Sequence, residues 1–247
     1  MYYLGIDLGS TNMKAAIYDK NFNLVDRQSR PVNYIRENGF VEFDAYVYCR
    51  DLIGLLADMV KKNHVANIRQ IAFTGQAESL VVLDGEGMPL MNAISWMDER
   101  STEECEELAK QFDAATCEAV TGQMAVLPTW PATKILWLKN NKPEIFGNAA
   151  TYMMLKDFVV FKLTGKKMAD MSIATFTFYF DIYEKKYWQK IIEILSSRWL
   201  LCVCTTYIPI VLHTQPLFCS VRILNTSCLA IIYSLCVLQV RTTLRIF

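Results

Sequence analysis

A carboxylate, a glycine, two hydroxyls and an amine follow one another closely in Asp7, Gly9, Ser10, Thr11 and Lys14. That set suits a phosphate and its metal ion. Gly9 lets the backbone approach a ligand that a side chain would hold off. Successive N–H groups and the Ser10 and Thr11 hydroxyls can enclose phosphate oxygens. Asp7 can hold a hydrated Mg2+ that bridges those oxygens, and Lys14 can add positive charge. The competing reading is an ordinary β-hairpin, in which Asp7 and Thr11 only satisfy the turn.

A second polar group is Gly75-Gln76-Ala77-Glu78-Ser79, between apolar runs at Gln70–Thr74 and Leu80–Leu83. Facing a cleft, Gln76 and Glu78 can hydrogen-bond to hydroxyl groups; facing water, they are a solvated loop. A third group is Ala93-Ile94-Ser95-Trp96-Met97-Asp98-Glu99-Arg100, an apolar strand that delivers a Trp, an acid and a base in alternation. Trp96 can shield one face of a ring, and Asp98 with Arg100 can form a hydrogen-bonded rim. The alternative is a core Trp beside a surface ion pair.

The elements that must position these groups are legible in outline. Tyr2–Leu8 and Lys14–Tyr18 read as two strands of a hairpin around the Gly-Ser-Thr-Asn turn. A third strand spans Asn23–Ser29. Asp44 is a candidate N-cap for a helix whose apolar face is Tyr46, Cys49, Leu52, Ile53, Leu56 and Met59. Glu103–Gln111 reads as an acidic amphipathic helix. Ala132–Lys139 reads as another, with Pro131 in its first turn. Thr129 and Trp130, just before it, are weaker candidates for contact with a ligand. Asp170 and Ser172 look like a helix N-cap region, and Lys185–Leu195 like a terminal amphipathic helix.

Composition narrows the classes. The chain has 25 basic and 25 acidic residues, so its overall charge does not favour nucleic acid as a partner. Met1-Tyr2-Tyr3 lacks a basic leader region and Asp7 interrupts the apolar run, which predicts a cytoplasmic protein. Neither a Gly-x-x-x-x-Gly-Lys loop nor a Gly-x-Gly-x-x-Gly fingerprint occurs. His64 and His213 sit in no recognisable pattern.

The whole segment Leu4–Asp19 resembles the first phosphate motif of the actin-like ATPase superfamily, which includes the sugar kinases of the FGGY family. Gly39-Phe40-Val41-Glu42-Phe43-Asp44 is similar to that family's Gly-Trp-x-Glu-x-Asp helix entry. Trp96-Met97-Asp98-Glu99-Arg100 is similar to its Trp-x-Asp-x-Arg signature. Gly75–Ser79 resembles both the Gly-Gln-x-x-Gly segment of xylulokinase-like enzymes and the Gln-Arg-Glu-Thr segment of glycerol kinases, and matches neither fully. Ala77 and Glu78 replace the Met-His of the first; Ala77 replaces the Arg of the second, while Glu78 is retained. Ala132–Trp137, Lys156-Asp157-Phe158 with Leu163-Thr164-Gly165, and Asp170–Thr175 resemble later family segments. The resemblance covers residues 1–195.

It implies an α/β fold: a ribonuclease-H-like, actin-like mixed β-sheet with flanking helices. It implies transfer of a phosphoryl group from ATP, with Mg2+, to a sugar or polyol hydroxyl. Asp7, Gly9, Ser10, Thr11 and Lys14 would serve the nucleotide, with Asp7 holding the metal. Gln76, Ala77, Glu78, Trp96, Asp98 and Arg100 would serve the acceptor. A homodimer is left open. The general-base aspartate that such kinases carry has no counterpart here, so no catalytic residue is assigned.

Beyond Glu193 there is no Asp or Glu, and five of the eight cysteines (Cys202, Cys204, Cys219, Cys228, Cys236) lie there. Residues 196–247 are therefore expected to stand outside the kinase fold. A truncated product ending in a shifted frame or unspliced sequence fits this best, with activity impaired; the chain would then at most bind sugar or a partner. A membrane anchor is disfavoured, because the apolar runs Trp199–Leu212 and Ser227–Val240 fall short of the ~20 residues that span a bilayer. A disulfide or metal module is disfavoured too, because Cys202-x-Cys204 is not a zinc spacing.

Overall fold

A computed structural model describes residues 1–195 and the backbone of Cys236–Gln239. The chain opens as a meander of β1 (Tyr2–Leu8), β2 (Asn12–Tyr18) and β3 (Leu24–Pro31). Strand alternation sends Leu4, Ile6 and Leu8, with Met13, Ala15 and Ile17, to one buried face. The same alternation puts Asp7 directly opposite Lys14 on the other face. β4 (Ile35–Glu37) and β5 (Phe40–Phe43) begin a second sheet, and α1 (Ala45–Lys62) follows.

Asp44 caps α1 as its sequence suggests: its carboxylate accepts from the Val47 N–H at 2.9 Å. The buried stripe of α1 is Ala45, Tyr48, Cys49, Leu52, Leu55, Leu56 and Met59. Tyr46, expected on that stripe, is exposed, because the stripe set by Ala45, Tyr48, Cys49 and Leu52 passes beside it. β6 (Ile68–Gly75) then runs parallel to β1. The first sheet thus has β6, β1, β2 and β3 side by side, with β1–β6 parallel and the other two pairs antiparallel.

β7 (Leu80–Leu83) and β8 (Ala93–Ile94) continue the second sheet. α2 (Thr102–Ala109), α3 (Ala114–Thr121), α4 (Pro131–Asn141) and α5 (Pro143–Asn148) precede β9 (Thr151–Met154). That sheet runs β4-β5-β8-β7-β9, antiparallel throughout. α6 (Leu155–Thr164) ends on Gly165 at φ +70°, the left-handed cap glycine favours. α7 (Met171–Ala174) starts at Asp170, whose carboxylate accepts from the Ser172 N–H at 2.8 Å.

β10 (Phe180–Asp181) and β11 (Lys186–Tyr187) form a short hairpin before α8 (Gln189–Leu195). The helix expected from Lys185 therefore begins only at Gln189, because Lys186 and Tyr187 pair with Asp181 and Phe180.

The second sheet is covered on both sides, which explains why all of Leu80–Leu83 is buried and apolar. Val81 and Leu83 join a core with β1, β2, β6, α1 and α6. Leu80 and Val82 join another with Ile135, Leu136, Trp188 and Ile191. Burying each such side chain contributes about 1.5–3 kcal/mol.

Of the tail, β12 (Cys236–Gln239) pairs antiparallel with β6 at the edge of the first sheet. The other readings of residues 196–247, including the apolar run Trp199–Leu212 and all of Ser227–Val240 except β12, lie outside the described residues. Among the described residues, no helix is long and apolar enough to cross a membrane.

Candidate active site

The turn between β1 and β2 closes only with glycine. A Cβ on Gly9 would sit 2.5 Å from the Asn12 carbonyl oxygen. Cross-strand pairing then brings the Lys14 Nζ within 3.2 Å of Asp7 Oδ2. Both side chains face the side of the sheet away from α1, beside Ala72 and Thr74.

β6 delivers the second polar group to the same place. Gly75 is needed where β6 passes β1, since a Cβ there would lie 2.6 Å from the Leu8 Cβ. The Gln76 N–H donates to the Leu8 carbonyl at 3.0 Å, extending the pairing past the strand end. The Gln76 amide and the Tyr48 hydroxyl each donate to the Gly9 carbonyl at 3.4 Å. The Ser79 hydroxyl donates to Gln76 Oε1 at 2.7 Å and accepts from the Trp96 N–H at 3.1 Å.

Trp96 closes the ring of contacts. Its indole N–H donates to Ser10 Oγ at 2.7 Å, while 38% of the residue stays exposed. Accepting that bond leaves the Ser10 O–H free to donate elsewhere. Asp7, Ser10, Gln76 and Trp96 are thus assembled from three separated stretches. Among the described residues the buried hydroxyl of Tyr34 meets no partner at hydrogen-bonding geometry, although Ser95, Gln76 and Ser10 lie around it.

Ala77, Glu78 and Ser79 make a tight three-residue turn, in which the Ser79 N–H donates to the Ala77 carbonyl at 2.8 Å. Glu78, at its centre, has φ +65°, a conformation that costs a non-glycine residue about 1–3 kcal/mol. The Glu78 carboxyl is half-buried. Burial raises its pKa, and the neighbouring Thr129 and the charge of Lys134 oppose that rise. The Ala77 methyl packs against the second core.

Asp98 and Arg100 require a correction. Expected on an open rim, they are a buried brace: the Asp98 and Arg100 side chains are 0% and 1% exposed. Asp98 Oδ2 accepts from the Val41 N–H at 2.6 Å and from Arg100 Nη2 at 2.8 Å. Its Oδ1 accepts from the Arg100 N–H at 3.0 Å and from Arg100 Nε at 2.8 Å. Arg100 also bonds Glu42 at 2.8 Å, and its guanidinium lies 4.0 Å from the Phe40 ring centre and 4.9 Å from that of Trp137. Burial alone would raise the Asp98 pKa, but Arg100 holds it below the ordinary value. A charge taken out of water needs such partners, and Phe40 and Trp137 are too distant in sequence for the alternation at Trp96–Arg100 to reveal them.

Trp130 is also interior, with its indole N–H on the Ala125 carbonyl at 3.3 Å. Two residues near the site carry a role that their sequence context does not assign. Ser79 links Gln76 to Trp96. Lys134, fully buried in α4, donates to the Ser95 carbonyl at 2.8 Å and the Glu78 carbonyl at 3.4 Å. A signal for Lys134 exists: it is the one cation in the run Pro131–Leu138, buried throughout. A helix that is apolar all round is interior, and a cation there needs acceptors.

The hairpin fits a magnesium-bound phosphate. Gly9 leaves a cradle that a Cβ would fill, Ser10 offers a hydroxyl donor, and Asp7 offers a carboxylate. No group of three or more His, Cys, Asp or Glu among the described residues is arranged to hold a metal by itself. Mg2+ commonly binds through one or two carboxylates plus phosphate oxygens, and Asp7 is the carboxylate that the hairpin offers.

Comparison with known proteins agrees with this architecture. Residues 2–200 match the model of the FGGY family of carbohydrate kinases, N-terminal domain. A xylulose kinase of Staphylococcus xylosus is 28% identical over 202 residues, 81% of this chain and 42% of that protein. A glycerol kinase of Malacoplasma penetrans is 31% identical over 205 residues, covering 79% and 40%. The solved gluconate kinase from Lactobacillus acidophilus superposes with a TM-score of 0.73 at 29% identity, covering 78% of this chain and 39% of that one. Plasmodium falciparum glycerol kinase, solved with ADP, gives a TM-score of 0.71 at 26% identity, covering 78% and 40%. The chain spans about 40% of the length of the curated relatives it matches. With an actin-like mixed sheet, flanking helices and a family match over most of its length, the chain belongs to the FGGY family of carbohydrate kinases.

Proposed function

We propose that this chain supplies the acceptor-binding and phosphate-facing wall of an ATP-dependent kinase for a sugar or polyol. One observation carries the reading: the Trp96 indole bonds Ser10 at 2.7 Å. A ring platform and a phosphate hairpin are thereby held as neighbours, as transfer between an alcohol and a phosphoryl group requires. In this reading Gly9, Ser10 and Thr11 receive phosphate oxygens, and Lys14 adds positive charge. Asp7 holds Mg2+, which would neutralise charge on the transferred group. Gln76 and Glu78 bond acceptor hydroxyls, and Trp96 covers one face of the acceptor. Asp98 and Arg100 fix the Trp96 loop and leave the acceptor itself to the other residues.

A second reading is binding of the acceptor without turnover, through the polar groups of Gln76 and Glu78 beside Trp96. Incubation of the 247-residue chain with MgATP and xylulose or glycerol separates the two. Acceptor-dependent ADP release supports the kinase; saturable acceptor binding without ADP supports the binding role. Neither release nor binding would remove both.

A further inference from the structure

We propose that Lys134 is a positioning residue for acceptor recognition: from behind the Ala77–Ser79 turn it pins the backbone at Glu78 and Ser95 and supplies the counter-charge to the Glu78 carboxylate. The inference rests on the reading of this site as an acceptor pocket and adds a residue that makes no contact with the acceptor.

The geometry is specific. The Lys134 Nζ reaches two carbonyls from different loops, at 2.8 Å on Ser95 and 3.4 Å on Glu78. The first immediately precedes Trp96. The second belongs to a residue held at φ +65°, a backbone state that persists only where the surroundings impose it. Thr129, just ahead of α4, holds the pKa of the Glu78 carboxyl down against burial. The start of α4 therefore holds the Glu78 carbonyl directly and acts on its carboxyl through charge and polarity.

A buried ammonium is costly, and an apolar residue of similar volume is often as stable or more so. Its presence here therefore calls for a use. The charged groups around it are Glu78 from the β6–β7 turn and Asp98 and Arg100 from the loop after β8. Arg100 already neutralises Asp98, and Glu78 is the opposite charge that acts most strongly on Lys134. Burial pushes the Lys134 pKa down and the Glu78 pKa up, and each charge opposes the shift of the other. A carboxylate kept ionised accepts two or more hydroxyl donors; a protonated one offers fewer acceptors.

The test uses the full chain, with xylulose and glycerol as probes and Trp fluorescence as the readout of binding from pH 5 to 9. Lys134→Met is expected to weaken binding about tenfold at neutral pH and to move the acid limb of the binding profile up by about one pH unit. Lys134→Arg should restore both in part. The thermal midpoint of Lys134→Met should not fall in proportion, since a buried charge has been removed. Unchanged affinity and an unchanged acid limb in Lys134→Met would overturn the proposal.

A second readout separates this proposal from the acceptor reading. Carboxyl 13C NMR follows the Glu78 midpoint without any sugar, identified by its loss in Glu78→Gln. If neither probe binds the unaltered chain, the acceptor reading falls; a higher Glu78 midpoint in Lys134→Met then still supports the counter-charge. An unmoved midpoint overturns it. Should Lys134→Met not fold, Glu78→Gln gives the same answer from the other side, because the Lys134 midpoint must fall.

Discussion

The opening hairpin and the Trp96–Arg100 segment both carry an acid and a base, and the structure treats them oppositely. Asp7 and Lys14 meet across a strand pair and stay in contact with water. Asp98 and Arg100 meet across a tight turn and are sealed between Phe40, Trp137 and Glu42. The first pair has spare acceptors and donors to offer a ligand. The second has spent its own on the fold. A charged residue near a cleft is thus a site residue or a brace according to what covers it, and its type does not say which.

Breaking the brace should give the largest effect. Arg100→Met leaves Asp98 buried without its partner, at an expected cost of about 3–5 kcal/mol. Urea unfolding should register that loss; a stable variant with weakened acceptor binding would instead return Arg100 to the ligand. Asp157, buried in α6, extends the comparison to a second interior acid. Burial raises it to about 7, above its unfolded value of about 3.9. Its ionisation therefore works against the fold: stability is full below about pH 4 and declines as pH rises to about 7. Asp157→Asn should remove that decline and gain on the order of a few kcal/mol at pH 8. Unfolding midpoints at pH 5 and pH 8 check the slope.

On the exposed side, Asp7→Ala should leave the unfolding midpoint nearly unchanged, since an exposed ion pair contributes about 0–1 kcal/mol. Magnesium-dependent nucleotide binding, or turnover where present, should fall roughly 100-fold. A stable fold with intact magnesium dependence would sink the assignment of Asp7. The smallest effect is expected of Trp96→Phe, which keeps a ring and loses the bond to Ser10, at about 1 kcal/mol. A double-mutant cycle with Ser10→Ala should recover that energy as coupling; additive losses would mean that hairpin and platform act independently.

Much was legible in local pattern. The hairpin, the Asp44 cap, the run at Leu80–Leu83 and the α4 start at Pro131 all follow from alternation, capping chemistry or proline geometry within a few residues. Tyr46 and the Lys185 start of the last helix were misplaced by small offsets. The first depends on which stripe the first sheet covers; the second depends on a hairpin partner at Phe180–Asp181.

The amino-acid sequence by itself determined the chemistry on offer: a glycine where no Cβ fits, an acid opposite an amine, a Trp followed by an acid and a base. Only the tertiary structure decided which of these groups meet and which are hidden. Trp96 reaches Ser10, and Lys134 reaches Glu78 and Ser95, across long stretches of chain. Strand alternation sets a side chain's direction over two residues, but burial and counter-charge come from whichever distant segments pack against it.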